Sequence, residues 1–414
     1  MTSFKLLRLT TVPLSLSVLI KGQLRYMRKY FEVKAISSGP SCDLDLVRKN
    51  EGVEVYEVAM SRKITPFKDL VALYKLVSLF RKEKPTLVHT HTPKAGFLGM
   101  LAAKITNVPI RLHTVAGMPL MEAKGIKRKF LEAVEKTTYV CATKVYPNSK
   151  GLEKFILENI YVKKEKVKVI ANGSSNGIDT SHFNPDKYTQ KQNQALREQL
   201  GIQEQDFVFI FVGRLVGDKG INELVRAFTA INEQSLVTSY SLPVTNSKLL
   251  LVGPFENELD PLHKETLVTI DQNPNIIAVG FQEDVRPYYA ISNALAFPSY
   301  REGFPNVVMQ AGAMGLPSIV SDINGCNEII VEGKNGFIIP PKGTEELQKV
   351  MQHFVEDSDL HHQFKSQARE MITSRYEQNV VWKALLEEYR NSLKEIGIEF
   401  PSNPIEHSEL THSP

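Results

Sequence analysis

The feature that most limits what this chain can fold into is an alternation that runs through twice. Short apolar, largely β-branched stretches at residues 6–10, 33–37, 53–58, 87–90, 110–114, 144–147 and 167–170 are separated by longer amphipathic ones such as 67–81 and 127–141. Strands too apolar to leave either face in water, each followed by a helix-length segment, build a parallel sheet covered on both sides, so the class is α/β. After Asn184-Pro185 and a stretch rich in Gln and Lys, the pattern restarts, with strands expected at 207–213, 248–253, 276–279, 294–298 and 318–321. Two doubly wound, Rossmann-like domains follow, at 1–190 and 200–377, and 414 residues suit two cores better than one. Residues 234–247 read as a surface loop and 397–414 as a disordered tail, being polar and Pro-containing. An apolar periodicity over 380–393 gives a last amphipathic helix, within 378–396.

Composition narrows the class further. Hydrophobic residues make up 42% and charged residues 23%, and the apolar run near the start is interrupted by Lys5 and Arg8, so neither a signal peptide nor a membrane span is expected. Cys42, Cys141 and Cys326 are odd in number and widely spaced, which argues against a disulfide framework and for a reducing, cytoplasmic location. A net charge of +4 does not call for nucleic acid, but the cations are bunched. One bunch, residues 21–31, sets Lys21, Arg25, Arg28 and Lys29 among Leu24, Tyr26, Met27, Tyr30 and Phe31; the other, 124–130, sets Lys124, Lys127, Arg128 and Lys129 before Phe130. Basic segments with apolar partners at helical spacing suit the cytoplasmic face of an anionic membrane, and a solvated helix face beside a core face is the alternative.

Chemistry concentrates in the second domain. Gly213-Arg214 ends a strand and Asp218-Lys219-Gly220 opens the next helix. Glycine lets the backbone approach a phosphate, the planar fork of Arg214 can hold two phosphate oxygens, and Lys219 adds a point charge, so the pair can stabilise a leaving diphosphate. Basic turns are common on surfaces, and that is the competing reading. Following the strand at 294–298, Glu302-Gly303-Phe304-Pro305-Asn306-Val307 reads as a turn into a helix, with Pro305 in the first helical turn and free N–H groups for an anion or sugar hydroxyls. Glu302 would overhang this site, accepting from sugar hydroxyls and favouring an oxocarbenium-like transition state; an ordinary exposed glutamate or helix cap is the alternative.

Taken together, Gly213-Arg214, Asp218-Lys219-Gly220, Glu302 to Val308, Ala311-Gly312-Ala313-Met314-Gly315-Leu316-Pro317 and Asn335-Gly336-Phe337 resemble the retaining GT-B glycosyltransferases of family GT4. The resemblance covers nearly the whole chain. It implies two Rossmann-like domains facing across a cleft, a terminal helix crossing back to the first domain, and a metal-independent transfer with no covalent intermediate and no cofactor. It also implies that Arg214 and Lys219 bind the donor diphosphate and that Glu302 contacts the donor sugar. A second glutamate, eight residues on, holds the ribose in the family; here Gln310 stands in its place and loses the charge-assisted bonds of a carboxylate. Phe281-Gln282 are expected to frame the nucleobase. On the acceptor side the resemblance points to Ser15 and to Asn176-Gly177, within Ser174-Ser175-Asn176-Gly177-Ile178-Asp179. That sequence, with Lys21-Gly22-Gln23-Leu24, is similar to enzymes of bacterial capsule, O-antigen and undecaprenyl-diphosphate glycan pathways. The implied donor is a UDP-sugar and the implied acceptor a polyprenyl-diphosphate saccharide.

His89, His91 and His113 sit near the ends of two successive strands. A three-histidine zinc site is one reading, weakened because no carboxylate stands nearby to orient the rings. The family places a sugar-contacting histidine close by, so His113 is taken as an active-site residue, with a core histidine as the alternative. A nucleotide-sugar epimerase and a degenerate, non-catalytic sugar-nucleotide binder are the other functional readings of the architecture. A nicotinamide dehydrogenase is disfavoured because Thr11-Val12-Pro13-Leu14-Ser15-Leu16, not G-x-G-x-x-G, follows the first strand.

Overall fold

The computed structural model describes residues 4–121, 123–160, 162–237, 246–256, 258 and 260–400. Contacts divide the chain into two units. One holds the residues up to Gly177 with those from Asn379 on; the other is Ile178–Gln378. Residues 178–190 therefore pack with the second unit, although the composition shift lies after them.

In the first unit β1 (Lys5–Leu9), β2 (Glu32–Ser37), β3 (Glu54–Glu57), β4 (Leu87–His91), β5 (Ile110–Val115) and β6 (Lys144–Pro147) form one sheet in the order β3-β2-β1-β4-β5-β6. Every pairing is parallel. All five residues of β4 are buried, as a central strand with helices on both faces requires. The second unit repeats the design with β7 (Phe207–Val212), β8 (Ser247–Val252), β9 (Ile276–Gly280), β10 (Ala294–Phe297), β11 (Ser318–Ser321) and β12 (Gly336–Ile339), in the order β12-β11-β10-β7-β8-β9. In each sheet the order reverses once, between β1 and β4 and between β7 and β10, and the crevice outside the carboxyl ends of such a pair is where open α/β sheets bind ligands.

Several expectations are corrected. Residues 167–170 form no strand: after the 3-10 turn Lys164–Lys166, Val167 makes one isolated bridge to Val145, and Ala171 takes φ +50°, which turns the chain away. The strand β12 appears where only the Asn-Gly-Phe motif stood out; a Cβ on Gly336 would lie 1.9 Å from the Ser318 carbonyl oxygen, so glycine permits that pairing. In the basic segment 21–31, Leu24, Met27 and Phe31 are wholly buried core residues, so its apolar side is spent inside the unit. Helix Gly125–Cys141, by contrast, leaves Ile126 and Phe130 exposed. Of the expected tail, 397–400 is packed: Phe400 lies 5.0 Å from the Phe31 ring and 6.0 Å from that of Phe4. Residues 401–414 lie outside the described residues. Helix Ile221–Val237 enters the expected loop at 234–247, β8 begins at its end, and 238–245 lie outside the described residues. No described helix is long and apolar enough to cross a membrane.

Candidate active site

The second unit's switch point brings together what the sequence holds 83 residues apart. Strand β7 ends at Val212, and Gly213 (φ +148°) turns the chain over the sheet edge. A 3-10 turn, Gly217–Lys219, follows, closed by Gly220 at φ +73°; a Cβ there would stand 2.2 Å from the Pro298 carbonyl oxygen, so only glycine lets this turn lie against the end of β10. Tyr300 N–H donates to the Asp218 carbonyl at 2.9 Å, and Arg301 donates to the Asp218 carboxylate at 2.8 Å, tying the two loops to each other. Lys219 is thereby delivered to Glu302: its Nζ donates to Oε1 at 2.5 Å. The same oxygen accepts from Ser299 Oγ at 3.0 Å.

Arg214 lies at the end of the same strand and donates to Glu256 Oε2 at 2.9 Å. That pairing, foremost, raises the guanidinium pKa, with Asp218 and Glu302 adding to it. Glu256, Ser299 and Asn324 escaped the sequence reading. Glu256, which follows β8, works across strands, as does Asn324, after β11, which donates to the Gly303 carbonyl at 2.5 Å and the Glu302 carbonyl at 3.3 Å; Ser299, after β10, reaches Glu302 within its own loop. One signal was available, since all three stand just beyond the carboxyl end of an apolar strand.

Beyond Gly303 and Phe304, Pro305 occupies the N-cap, one step before the first helical turn, and helix Asn306–Ala313 begins with Asn306 and Val307. No side chain caps that helix, so its first N–H groups are left to face a ligand or solvent. Gln310, one turn on, accepts from Tyr289 O–H at 3.4 Å through Oε1. Phe281 is exposed beyond β9, while Gln282 donates from Nε2 to the Val279 carbonyl at 2.8 Å. Cys326, buried near Glu302, has its thiol pKa pushed well up, first by burial and then by that carboxylate.

In the first unit the three histidines do not converge. Parallel register sets Thr90 beside His113, and His91 beside Thr114, so His113 faces the opposite side of the sheet from His89 and His91. The three imidazoles therefore cannot share an ion, and among the described residues no group of His, Cys, Asp and Glu is arranged to hold one. His113 is in the core reading's position: buried, bonded through Nδ1 to Thr90 Oγ1 at 2.8 Å, with helix Pro93–Ile105 so close that a Cβ on Gly96 would meet its ring at 2.3 Å. Burial lowers its pKa to about 4. His91 Nε2 lies 2.7 Å from the fully buried Arg8, whose other contacts include Tyr389 O–H at 2.8 Å; His89 Nδ1 lies 2.6 Å from that same hydroxyl.

Asn176 is likewise committed internally. Its amide donates to the Lys21 carbonyl at 3.0 Å and accepts from Trp382 Nε1 at 2.7 Å and Gln23 Nε2 at 3.1 Å, which makes it a clamp on the 173–177 turn. Gly177 N–H donates to Ser174 Oγ at 3.0 Å. Ser15 opens the short π-helix Ser15–Leu19 at the carboxyl edge of β1, half-buried.

Two doubly wound sheets, with two cations and a carboxylate at the switch point of the second, suit a group-transfer enzyme that handles an anionic leaving group. Sequence comparison gives the family. The profile "Glycosyl transferases group 1" matches residues 192–371, and "Glycosyl transferase 4-like domain" matches 25–173. Among curated relatives, the capsular polysaccharide biosynthesis glycosyltransferase CapM of Staphylococcus aureus is 32% identical over 398 residues, 95% of this chain and 99% of the relative. The UDP-Gal:alpha-D-GlcNAc-diphosphoundecaprenol alpha-1,3-galactosyltransferase of Escherichia coli is 28% identical over 337 residues, 80% and 81% of the two chains. Of the solved structures, HepE of Anabaena in complex with UDP and glucose superimposes with a TM-score of 0.75 at 20% identity, covering 94% of this chain and 100% of that one. The chain belongs to the GT4 family of glycosyltransferases and has the GT-B fold.

Proposed function

We propose that this glycosyltransferase moves an N-acetylhexosamine or hexose from a UDP-sugar to a polyprenyl-diphosphate-linked saccharide. The reaction retains anomeric configuration, needs no metal ion, and serves surface polysaccharide or glycan assembly on the cytoplasmic face of the membrane. The observation that carries this reading is the contact of Lys219 with Glu302 at the β7/β10 switch point, with Arg214 on the same strand end. As the bond from the anomeric carbon to the diphosphate oxygen breaks, negative charge gathers on that oxygen, and Lys219 and Arg214 stabilise it. The acceptor hydroxyl attacks the same sugar face and passes its proton to the departing diphosphate. Glu302 accepts from a sugar hydroxyl and favours the positive charge that develops on the ring. The N–H groups of Gly303, Phe304, Asn306 and Val307, around Pro305 at the uncapped helix start, would donate to phosphate and sugar oxygens, and Gly213, whose own N–H is held by the Val252 carbonyl, lets the backbone come close to them. Gln310 meets the ribose, and the exposed Phe281 ring offers a face to the base. The lipid-linked acceptor is supported by the Escherichia coli relative, whose name gives a diphosphoundecaprenol acceptor and a UDP-linked donor.

A UDP-release screen over nucleotide sugars, with and without a polyprenyl-diphosphate saccharide and with chelator present, tests this. Expected are acceptor-dependent release that survives the chelator, an axial product bond by NMR from an axial donor, and loss of most turnover in Glu302→Ala and Arg214→Ala with folding intact. Donor isomerised without an acceptor would make the protein an epimerase. Donor binding with no release across the acceptor panel would make it a non-catalytic binder.

A further inference from the structure

Helix Pro66–Glu83 turns Ala72, Leu76 and Phe80 into the first unit and Phe67, Leu70, Val71 and Tyr74 out of it. The four outward side chains are 88%, 66%, 56% and 75% exposed, and their spacing of i, i+3, i+4 and i+7 makes them one continuous stripe. This helix packs on Pro93–Ile105, which packs on Gly125–Cys141, where Ile126 (88% exposed) and Phe130 (46%) form a second apolar point. Helices 66–83 and 125–141 each follow a strand of the parallel sheet, β3 and β5, so their first turns lie at the same carboxyl edge. Lys63, Lys68, Lys75, Lys127 and Lys129 are exposed among these apolar residues. The acidic residue of the first turn, Asp69, is occupied by Lys94 and Thr65.

Large apolar side chains standing in water as a stripe mark an interaction surface. The charge around them selects its partner. A second copy of the chain, docking the same face to itself, would bring two sets of lysines together. An anionic bilayer instead takes apolar and aromatic side chains at its headgroup boundary and pairs lysines with its phosphates. We propose that this rim is the membrane-docking face, with Phe67, Leu70 and Tyr74 as its principal anchors and residues 124–130 as its flank; the basic segment 21–31 has no apolar side left for the purpose. The choice of a bilayer rests on the reading of a lipid-linked acceptor, but vesicle binding is measured without donor or acceptor, so the two can fail separately.

The test is co-sedimentation of the full chain with phosphatidylcholine vesicles, with and without about one third phosphatidylglycerol. The wild type is expected to bind the anionic vesicles and to be released by salt. Phe67→Ser/Leu70→Ser/Tyr74→Ser should lower the partition coefficient about tenfold or more, Lys68→Glu/Lys75→Glu should remove the preference for phosphatidylglycerol, and Val268→Ser, an exposed apolar residue of the second unit, should change neither. Because the substituted side chains are exposed, circular dichroism melts should be unchanged. Three results would overturn the proposal: no binding of the wild type to anionic vesicles, undiminished binding of the triple variant, or a fall in oligomeric state of that variant without loss of vesicle binding. Vesicle binding with no transfer to any lipid-linked acceptor would leave the docking face standing and remove the acceptor.

Discussion

Replacing Lys219 with methionine keeps much of the side chain's length and removes its ammonium group, which makes it a direct probe of the charge arrangement at the switch point. The Lys219 and Glu302 side chains are 15% and 17% exposed, so the small net value of a surface ion pair does not apply to them. Two effects follow. Glu302 is left with Ser299 as its hydroxyl donor at 3.0 Å, and loss of a charged partner at a mostly buried carboxylate costs about 1–3 kcal/mol of stability. In the transition state, a preorganised donor aimed at a developing oxyanion contributes about 3–4 kcal/mol, which is roughly 10²–10³ in kcat. Initial rates of UDP release over a donor titration should therefore show the fall chiefly in kcat, with the donor KM changed less. Glu302→Gln should lower kcat as well, and because the groups touch, the double variant should fall short of the product of the two losses, by a coupling on the order of 0.5–3 kcal/mol. A Lys219→Met enzyme that melts cooperatively and keeps kcat/KM within about threefold of wild type would refute the charge argument, and strict additivity in the cycle would refute the pairing.

Other outcomes are accessible with the same assays. Gln310→Glu, which restores a carboxylate where the family has one, should lower the donor KM by about fivefold through charge-assisted ribose bonds, measured by steady-state kinetics; an unchanged or higher KM would show that Tyr289 holds this position away from the ribose. Gly220→Ala combines a positive φ with a clash on the Pro298 carbonyl, so it should lower the melting temperature and cost more than tenfold in kcat/KM by displacing the turn that presents Lys219. The depressed pKa of His113 makes acid stability testable. Below its ordinary value of 6.5 the unfolded chain takes up a proton that the folded one refuses until about pH 4, so stability present above pH 6.5 is lost as pH falls, by about 3 kcal/mol over that window. Melting curves from pH 7 to 4 should be flatter in His113→Asn, with a residual slope from His89 and His91, whose pKa values burial also lowers.

Strand β7 was legible because Phe-Val-Phe-Ile-Phe-Val is buried at every position, and a run that apolar has no other stable setting. Strand β12 was not, since its four residues begin with glycine and include two that are half-buried. Arg214, Lys219 and Glu302 could be named from their turns, but that Lys219 and Glu302 touch depends on β7 and β10 being neighbours, which no local spacing encodes. The same holds for Glu256 beside Arg214. The three-histidine reading fails for a reason of parity: register pairs His113 with Thr90, not with His89 or His91, and register is a property of two strands. Segment 21–31 misled because a core helix with a basic outer side and a membrane-surface helix share one periodicity.

The way the chain is threaded through its units also orders their completion in time. Residues 178–378 form one uninterrupted stretch, so the second unit has all of its sequence before the last helix, Gln378–Glu395, leaves the ribosome. The first unit, begun earlier, must wait: Arg8 and Tyr389 are 381 positions apart, and His89 meets the same tyrosine across 300. Until that helix arrives, a buried guanidinium lacks one of its hydrogen-bond partners and β1 lacks part of its cover. The second unit is thus a passenger inserted into the first along the sequence, and strand β1, among the earliest segments made, is among the last to gain its full cover.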